Sequence, residues 1–112
     1  MPDLFIPQER LPEIGSRGVL HTHEGPICVI RTTEGVFAIE DLCKHMDEAL
    51  SPGELQGTIL ACPVHGWEYD VRTGKCVAPT WGKQDKDIRG FPVEECDGGY
   101  RLRLPGSPEA GE

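Results

Sequence analysis

The chain has 112 residues, of which 38% are hydrophobic and 27% are charged, and its formal net charge is −8. This length predicts a single domain over residues 1–112, with apolar residues for one modest core. The negative charge argues against nucleic acid and anionic membranes as partners, because both reward basic patches. We see neither an apolar run long enough to span a membrane nor a signal peptide, so we expect a cytoplasmic protein.

Short segments rich in valine, isoleucine and aromatic residues follow one another along the chain, and glycines and prolines separate them. Each predicts a strand that ends in a turn: GVLHTHEG, PICVIRTTEG, GVFAIEDL, GTILACP, GWEYDVRTG, KCVAP, GFPVEEC and GYRLRLPG. The turns TTEG and RTG are typical of hairpins. Only HMDEAL, residues 45–50, is expected to be helical. The pattern predicts an all-β domain of short antiparallel strands, built as a sandwich or a partly open barrel.

Three further features of the sequence concern two histidines, one long connection and the C-terminal tail. His21 and His23 alternate along one strand, and we interpret them as surface residues because no third metal ligand is near in sequence. Residues 78–90, APTWGKQDKDIRG, form a long polar connection of the kind that is often functional or mobile. Residues 105–112 are expected to form a flexible, solvated tail.

Two cysteines and two histidines between positions 43 and 65 form the most specific pattern, C-x-H, sixteen residues, then C-x-x-H. Structural zinc sites usually pair their ligands as C-x2-4-C and H-x3-5-H, which differs from this order. A mononuclear iron site with two histidines and a carboxylate would leave both cysteines unexplained. A [2Fe–2S] cluster with two cysteines on one iron and two histidines on the other uses all four residues. Spacing alone leaves zinc, mononuclear iron and an incidental arrangement open.

Cys28, Cys76 and Cys96 have no neighbouring metal ligand in the sequence. The number of cysteines is odd and nothing indicates secretion, so a disulfide framework is not expected. We interpret these three residues as small, buried or half-buried hydrophobic side chains.

The residues around the motif resemble the Rieske iron–sulfur proteins over positions 3–105. GVFAIEDLCKH is similar to the strand of that family that leads into the first ligand loop, and LSPGEL is similar to the end of that loop. GTILACPVHGWEYDVRTGKCV is similar to the second ligand loop and the hairpin that follows it. The resemblance implies one [2Fe–2S] cluster, with Cys43 and Cys62 on one iron and His45 and His65 on the other. It also places Pro79 in the loop that covers the cluster, and it implies that the cysteines are buried while the histidines face solvent.

Neutral imidazole ligands leave an oxidised cluster of this type without net charge, which makes reduction easier than in an all-cysteine cluster. High-potential members of the family carry a serine where this chain has Trp67 and a tyrosine where it has Tyr69. Those proteins also carry an extra cysteine in each ligand loop, and the two cysteines form a disulfide. This chain has Glu48 near the first of these positions and Val64 at the second. We therefore expect a potential at the low end of the Rieske range, about −150 mV.

The resemblance implies an electron carrier rather than an enzyme. The expected protein is a monomeric Rieske-type ferredoxin that relays single electrons from a flavin-dependent reductase to a terminal oxygenase of a dioxygenase system. The alternative is a small Rieske subunit of a larger reductase, such as assimilatory nitrite reductase. A zinc-stabilised interaction module is the third possibility, and metal analysis would distinguish it.

Overall fold

The computed structural model describes residues 3–43, 48–64, 66–78 and 87–104, which contain eleven β-strands and one 3-10 turn at Gln8–Arg10. All of the strand pairings are antiparallel. The strands are β1 Leu4–Pro7, β2 Ser16–Thr22, β3 Gly25–Thr32, β4 Gly35–Glu40, β5 Glu54–Gln56, β6 Ile59–Ala61, β7 Glu68–Asp70, β8 Lys75–Ala78, β9 Gly90–Phe91, β10 Val93–Cys96 and β11 Gly99–Leu102. The predicted all-β class is confirmed.

The strands form three sheets, in the orders β1-β11-β10, β2-β3-β4-β9 and β5-β6-β7-β8. In the first sheet the earliest strand pairs with the last, so that Leu4 lies opposite Leu102. The other two sheets are built mainly from consecutive hairpins, and the predicted turns TTEG and RTG connect β3 to β4 and β7 to β8. No closed barrel forms among these strands.

The apolar residues form two clusters rather than the single core that composition predicts. The first, which we call the cysteine core, contains Cys28, Ile30, Ile39, Cys43, Leu50, Leu60, Cys62, Tyr69, Val71 and Ile88. The second, which we call the distal core, contains Ile6, Ile27, Val29, Val36, Ala38, Phe91, Leu102 and Leu104. Successive residues of β3 belong to different cores, because neighbouring side chains of a strand point to opposite faces. The sheet β2-β3-β4-β9 therefore separates the two cores.

Each segment predicted to be a strand contains one, but the sequence patterns missed β1 and β5. The segment GFPVEEC is divided at Pro92, with β9 pairing to β4 and β10 pairing to β11. Proline has no N–H to donate to a strand ladder, which explains a break at this position.

Several expectations fall partly or wholly outside the described ranges. The helix expected over residues 45–50 is wrong for positions 48–50, which are not helical, and the rest of it is not described. Positions 79–86 of the connection predicted over 78–90, which include Pro79, and the tail over 105–112 also lie outside the described ranges. Within the ranges given above, no helix has the length and apolar character that a bilayer span requires.

Candidate metal centre

Cys43 and Cys62 each begin a tight loop, and the two loops are closed in the same way. The Cys43 N–H donates to the Glu48 carbonyl at 2.7 Å, and the Cys62 N–H donates to the Trp67 carbonyl at 2.7 Å. In both cases the acceptor lies five residues further along the chain. The second loop has an additional bond from the Gly66 N–H to the Cys62 carbonyl, at 2.9 Å, with Gly66 at a φ of 76° that suits glycine. The sequence therefore folds locally into two loops with a cysteine at each base.

The two cysteines are buried while the described parts of their loops are exposed. Cys43 and Cys62 are 0% and 3% exposed and belong to the cysteine core. Pro63 and Val64 face solvent, and Val64 is 49% exposed. The second loop thus runs from a buried thiol to exposed residues, and both cysteines are buried, which is what the resemblance implies for the cysteines.

Tyr69 provides a polar group beside the first thiol. Its hydroxyl lies 3.6 Å from the Cys43 Sγ, and its side chain is fully buried on β7. Trp67 is half-buried against the cysteine core, and its backbone carbonyl closes the second loop. Of the three residues that the sequence analysis placed around the cluster, Trp67 and Tyr69 therefore lie near the cysteines, and Pro79 is outside the described ranges.

A third cysteine, Cys28, shares the cysteine core but lies outside both loops. Burial raises the pKa of the Cys28 thiol to about 12, and the nearby Asp41 carboxylate adds to this effect. Cys28 lies on β3, outside the two loops that begin at Cys43 and Cys62. Cys28 therefore acts as a small buried apolar side chain, as predicted.

Of the remaining candidates, Cys76 packs against the cysteine core, and the others lie away from it or outside the described ranges. Cys76 and Cys96 are half-buried on β8 and β10. His21 and His23 are exposed at the end of β2, which confirms their expected surface position. His45, His65 and Pro79 fall in the segments that are not described.

Asp41 is a polar residue of the site that sequence reasoning missed. It is only 5% exposed, and it accepts hydrogen bonds from the Leu50 N–H at 2.8 Å and the Ser51 N–H at 2.6 Å. The Ser51 hydroxyl donates to its second carboxylate oxygen at 2.9 Å. An acidic residue two positions before Cys43 was visible in the sequence, but nothing there indicated that it would be buried.

The donor set suits a metal group that takes two buried thiolates. Buried thiols are deprotonated when a cation compensates their charge, and thiolates are the ligands of zinc and of iron–sulfur clusters. Among the described residues no cluster of three or more histidine, cysteine or acidic side chains surrounds a point that would hold a metal. The two histidines of the motif, His45 and His65, lie outside the described residues.

The chain belongs to the Rieske family, because the model of the Rieske [2Fe-2S] domain matches residues 5–92. Members of this family carry a Rieske-type [2Fe–2S] cluster, and such a cluster has the two thiolate ligands that the loop bases offer.

Three comparisons show which members this chain is similar to. The anthranilate 1,2-dioxygenase ferredoxin subunit of Burkholderia cepacia is 36% identical over 79 residues, which are 70% of this chain and 70% of that protein. The ferredoxin of carbazole 1,9a-dioxygenase from Nocardioides aromaticivorans IC177 superposes with a TM-score of 0.76 at 26% identity, over 91% of this chain and 95% of the other. A chain in a complex of reduced oxygenase and oxidized ferredoxin of carbazole 1,9a-dioxygenase gives a TM-score of 0.77 at 25% identity, over 91% and 93% of the two chains.

Proposed function

We propose that this chain is an electron-carrying ferredoxin that holds one [2Fe–2S] cluster and relays single electrons to a terminal oxygenase. In this proposal Cys43 and Cys62 bind one iron, and His45 and His65 bind the other. The observation that carries it is the pair of equivalent loops, each with a buried cysteine at its base and a histidine two or three residues further on.

The direction of the two loops supports a path for the electron. Both thiols lie inside the cysteine core, whereas Pro63 and Val64, which follow Cys62, are exposed to solvent. A histidine next to Val64 would stand between the cluster and a docked partner. The bound cluster supplies a one-electron redox couple, and the chain contributes its burial, orientation and hydrogen bonds.

The partners are proposed from the relatives. Those reported above are ferredoxins of anthranilate and carbazole dioxygenases, and one similar structure contains an oxygenase together with a ferredoxin. We propose by analogy a terminal oxygenase as electron acceptor and a flavin-dependent reductase as donor. These relatives favour a ferredoxin over a small subunit of a larger reductase. A cytoplasmic location and a monomeric state remain predictions.

The proposed potential lies at the low end of the Rieske range, about −150 mV. Tyr69 is present to donate a hydrogen bond to sulfur, but Trp67 stands where the high-potential proteins have a serine hydroxyl. One fewer hydroxyl donor leaves more negative charge on the cluster, which makes reduction less favourable.

The test measures the metal content and the spectrum of the purified protein and of the variants His45→Ala and His65→Ala. We expect about two irons and two acid-labile sulfides per chain, and a Rieske-type paramagnetic resonance signal after reduction. Each variant should lose the cluster or change its signal. The variant His21→Ala is the matched control, because His21 is exposed on β2 and should leave the signal unchanged.

Two results would contradict the proposal. A colourless protein that contains zinc would support the zinc-stabilised interaction module instead. A cluster that persists unchanged in both His45→Ala and His65→Ala would show that these histidines are not its ligands. A cluster of the expected type that an NAD(P)H-dependent flavoprotein cannot reduce would instead point to a different donor.

A further inference from the structure

Ser51 is held on both sides by buried or half-buried polar groups. Its N–H and its hydroxyl donate to the Asp41 carboxylate at 2.6 and 2.9 Å. Its carbonyl accepts a hydrogen bond from the Arg17 Nε at 2.8 Å. All three of its hydrogen-bonding groups are thus engaged by two residues that are distant in sequence.

The two partners of Ser51 lie on or directly after different strands of one sheet. Arg17 lies on β2, and Asp41 follows the end of β4. The guanidinium of Arg17 also donates to the Gly53 carbonyl, and the Asp41 carboxylate also accepts from the Leu50 N–H at 2.8 Å. The segment 50–53, where the first loop returns, is therefore anchored to the sheet β2-β3-β4-β9 at several points.

The same segment touches the strand that leads to the second loop. Gly53 is buried, and a side chain built at this position would overlap the carbonyl oxygen of Ala61. Ala61 ends β6, immediately before Cys62. The backbone at Gly53 thus lies directly against the backbone that positions the second thiol.

We propose that Asp41, Ser51 and Arg17 form a clasp that sets the position of the Cys43 loop relative to the Cys62 loop. Asp41 is the main positioning residue, because its carboxylate gathers three donors at the point where the first loop rejoins the sheet. The inference rests on the proposed function, since the clasp matters for redox chemistry only if the two loops share one cluster.

Hydrogen bonding, rather than negative charge, is the property that this proposal assigns to Asp41. The substitution Asp41→Asn removes the charge but keeps a carbonyl oxygen for the two backbone donors. Its amide can also donate to the Ser51 hydroxyl, which is both a donor and an acceptor. Asp41→Ala leaves the buried donors of residues 50 and 51 without an acceptor, which is strongly unfavourable. The two variants therefore separate the clasp from an electrostatic effect on the cluster.

The experiment compares cluster retention, by visible absorbance in the presence of a chelator, and the paramagnetic resonance signal of the reduced protein. We expect Asp41→Ala to release the cluster about tenfold faster than the unmodified protein and to broaden or shift its signal, because buried donors lose their acceptor. Asp41→Asn should retain the cluster within about threefold of the unmodified protein and keep its signal. Glu95→Ala, at an exposed position on β10, is the control for loss of one negative charge.

The outcomes distinguish this inference from the proposed function. If Asp41→Asn and Asp41→Ala have equal effects, the charge of Asp41 rather than the clasp is responsible. If Asp41→Ala releases its cluster no faster than Glu95→Ala does, the clasp proposal is wrong. If Asp41→Ala does not fold, Ser51→Ala is the test variant, because it removes only the hydrogen bond from the Ser51 hydroxyl to Asp41. It should release the cluster faster than the unmodified protein, and an unchanged rate would contradict the proposal. An unmodified protein without any iron–sulfur cluster would instead overturn the proposed function.

Discussion

Tyr69 is the side chain whose effect on redox potential follows most directly from its contacts. Its fully buried hydroxyl lies 3.6 Å from the Cys43 Sγ, a distance at which a hydrogen bond to sulfur forms. A donor near a thiolate stabilises the more negative, reduced state more than the oxidised state. The tyrosine should therefore raise the potential.

We predict that Tyr69→Phe lowers the midpoint potential by roughly 40 mV, which corresponds to about 1 kcal/mol for one electron. Film voltammetry of the loaded protein measures this change. Tyr100→Phe is the control, because Tyr100 lies on β11 against the distal core. An unchanged potential in Tyr69→Phe would show that the hydroxyl does not donate to the sulfur.

Single residues also show how far the sequence could predict the site. Cys43 and Cys62 were recognisable because both alternate with histidine at short spacing. Cys28 lacks such a neighbour, and its burial agrees with the apolar role predicted for it. The role of Asp41 was not predictable, because its partners Leu50 and Ser51 depend on the return path of a loop rather than on any local pattern.

At the scale of elements, Gly74 joins the hairpin β7-β8 to the chain that enters β9. The Ile88 N–H donates to the Gly74 carbonyl at 2.8 Å, and a side chain at position 74 would overlap the Ile88 carbonyl oxygen. Gly74 also has a φ of 87°, a conformation that other residues rarely adopt. This contact brings together residues 74 and 88, which flank the segment that contains Pro79.

We predict that Gly74→Ala lowers the free energy of unfolding by roughly 2 kcal/mol or more, because it combines an unfavourable φ with an overlap. Gly25→Ala is the matched control, since Gly25 has a φ of 94° but no atom near the added methyl group. That control should lose only about 1 kcal/mol. Urea unfolding measures both values, and equal losses would show that the contact with Ile88 is easily relieved.

The elements that were predicted correctly have strong local signals, whereas β1 depends on a distant strand and β5 has a weak strand pattern. β3 and β4 are rich in β-branched residues and are joined by a clear turn. β5 has one apolar residue, Leu55, between two polar ones, and β1 pairs with a strand almost a hundred positions away. The division of GFPVEEC at Pro92 had a visible signal in the proline, but the change of sheet there follows from pairing with β4 and β11.

At the scale of the whole molecule, the sheet β2-β3-β4-β9 separates a cysteine core from a distal core. Binding of a metal group that joins two loops contributes to folding free energy. Its loss should therefore affect the cysteine core more than the distal core.

We predict that removing the cluster speeds amide hydrogen exchange in β6 and β7 by about tenfold or more, while exchange in β1 and β11 changes little. Exchange followed by mass spectrometry on loaded and cluster-free protein tests this expectation, and reconstitution should restore the original rates. A uniform increase in all strands would show instead that the two cores unfold as one unit.

The pairing of β1 with β11 places Leu4 directly opposite Leu102, on the sheet that contributes to the distal core. The chain therefore enters and leaves its fold at neighbouring points, and the sheet β2-β3-β4-β9 stands between them and the two cysteines. A domain with this arrangement can be inserted into a surface loop of a host protein without stretching either junction. The two cysteines would then lie on the side of the domain away from the host, so the fold suits insertion into another protein as a metal-binding module.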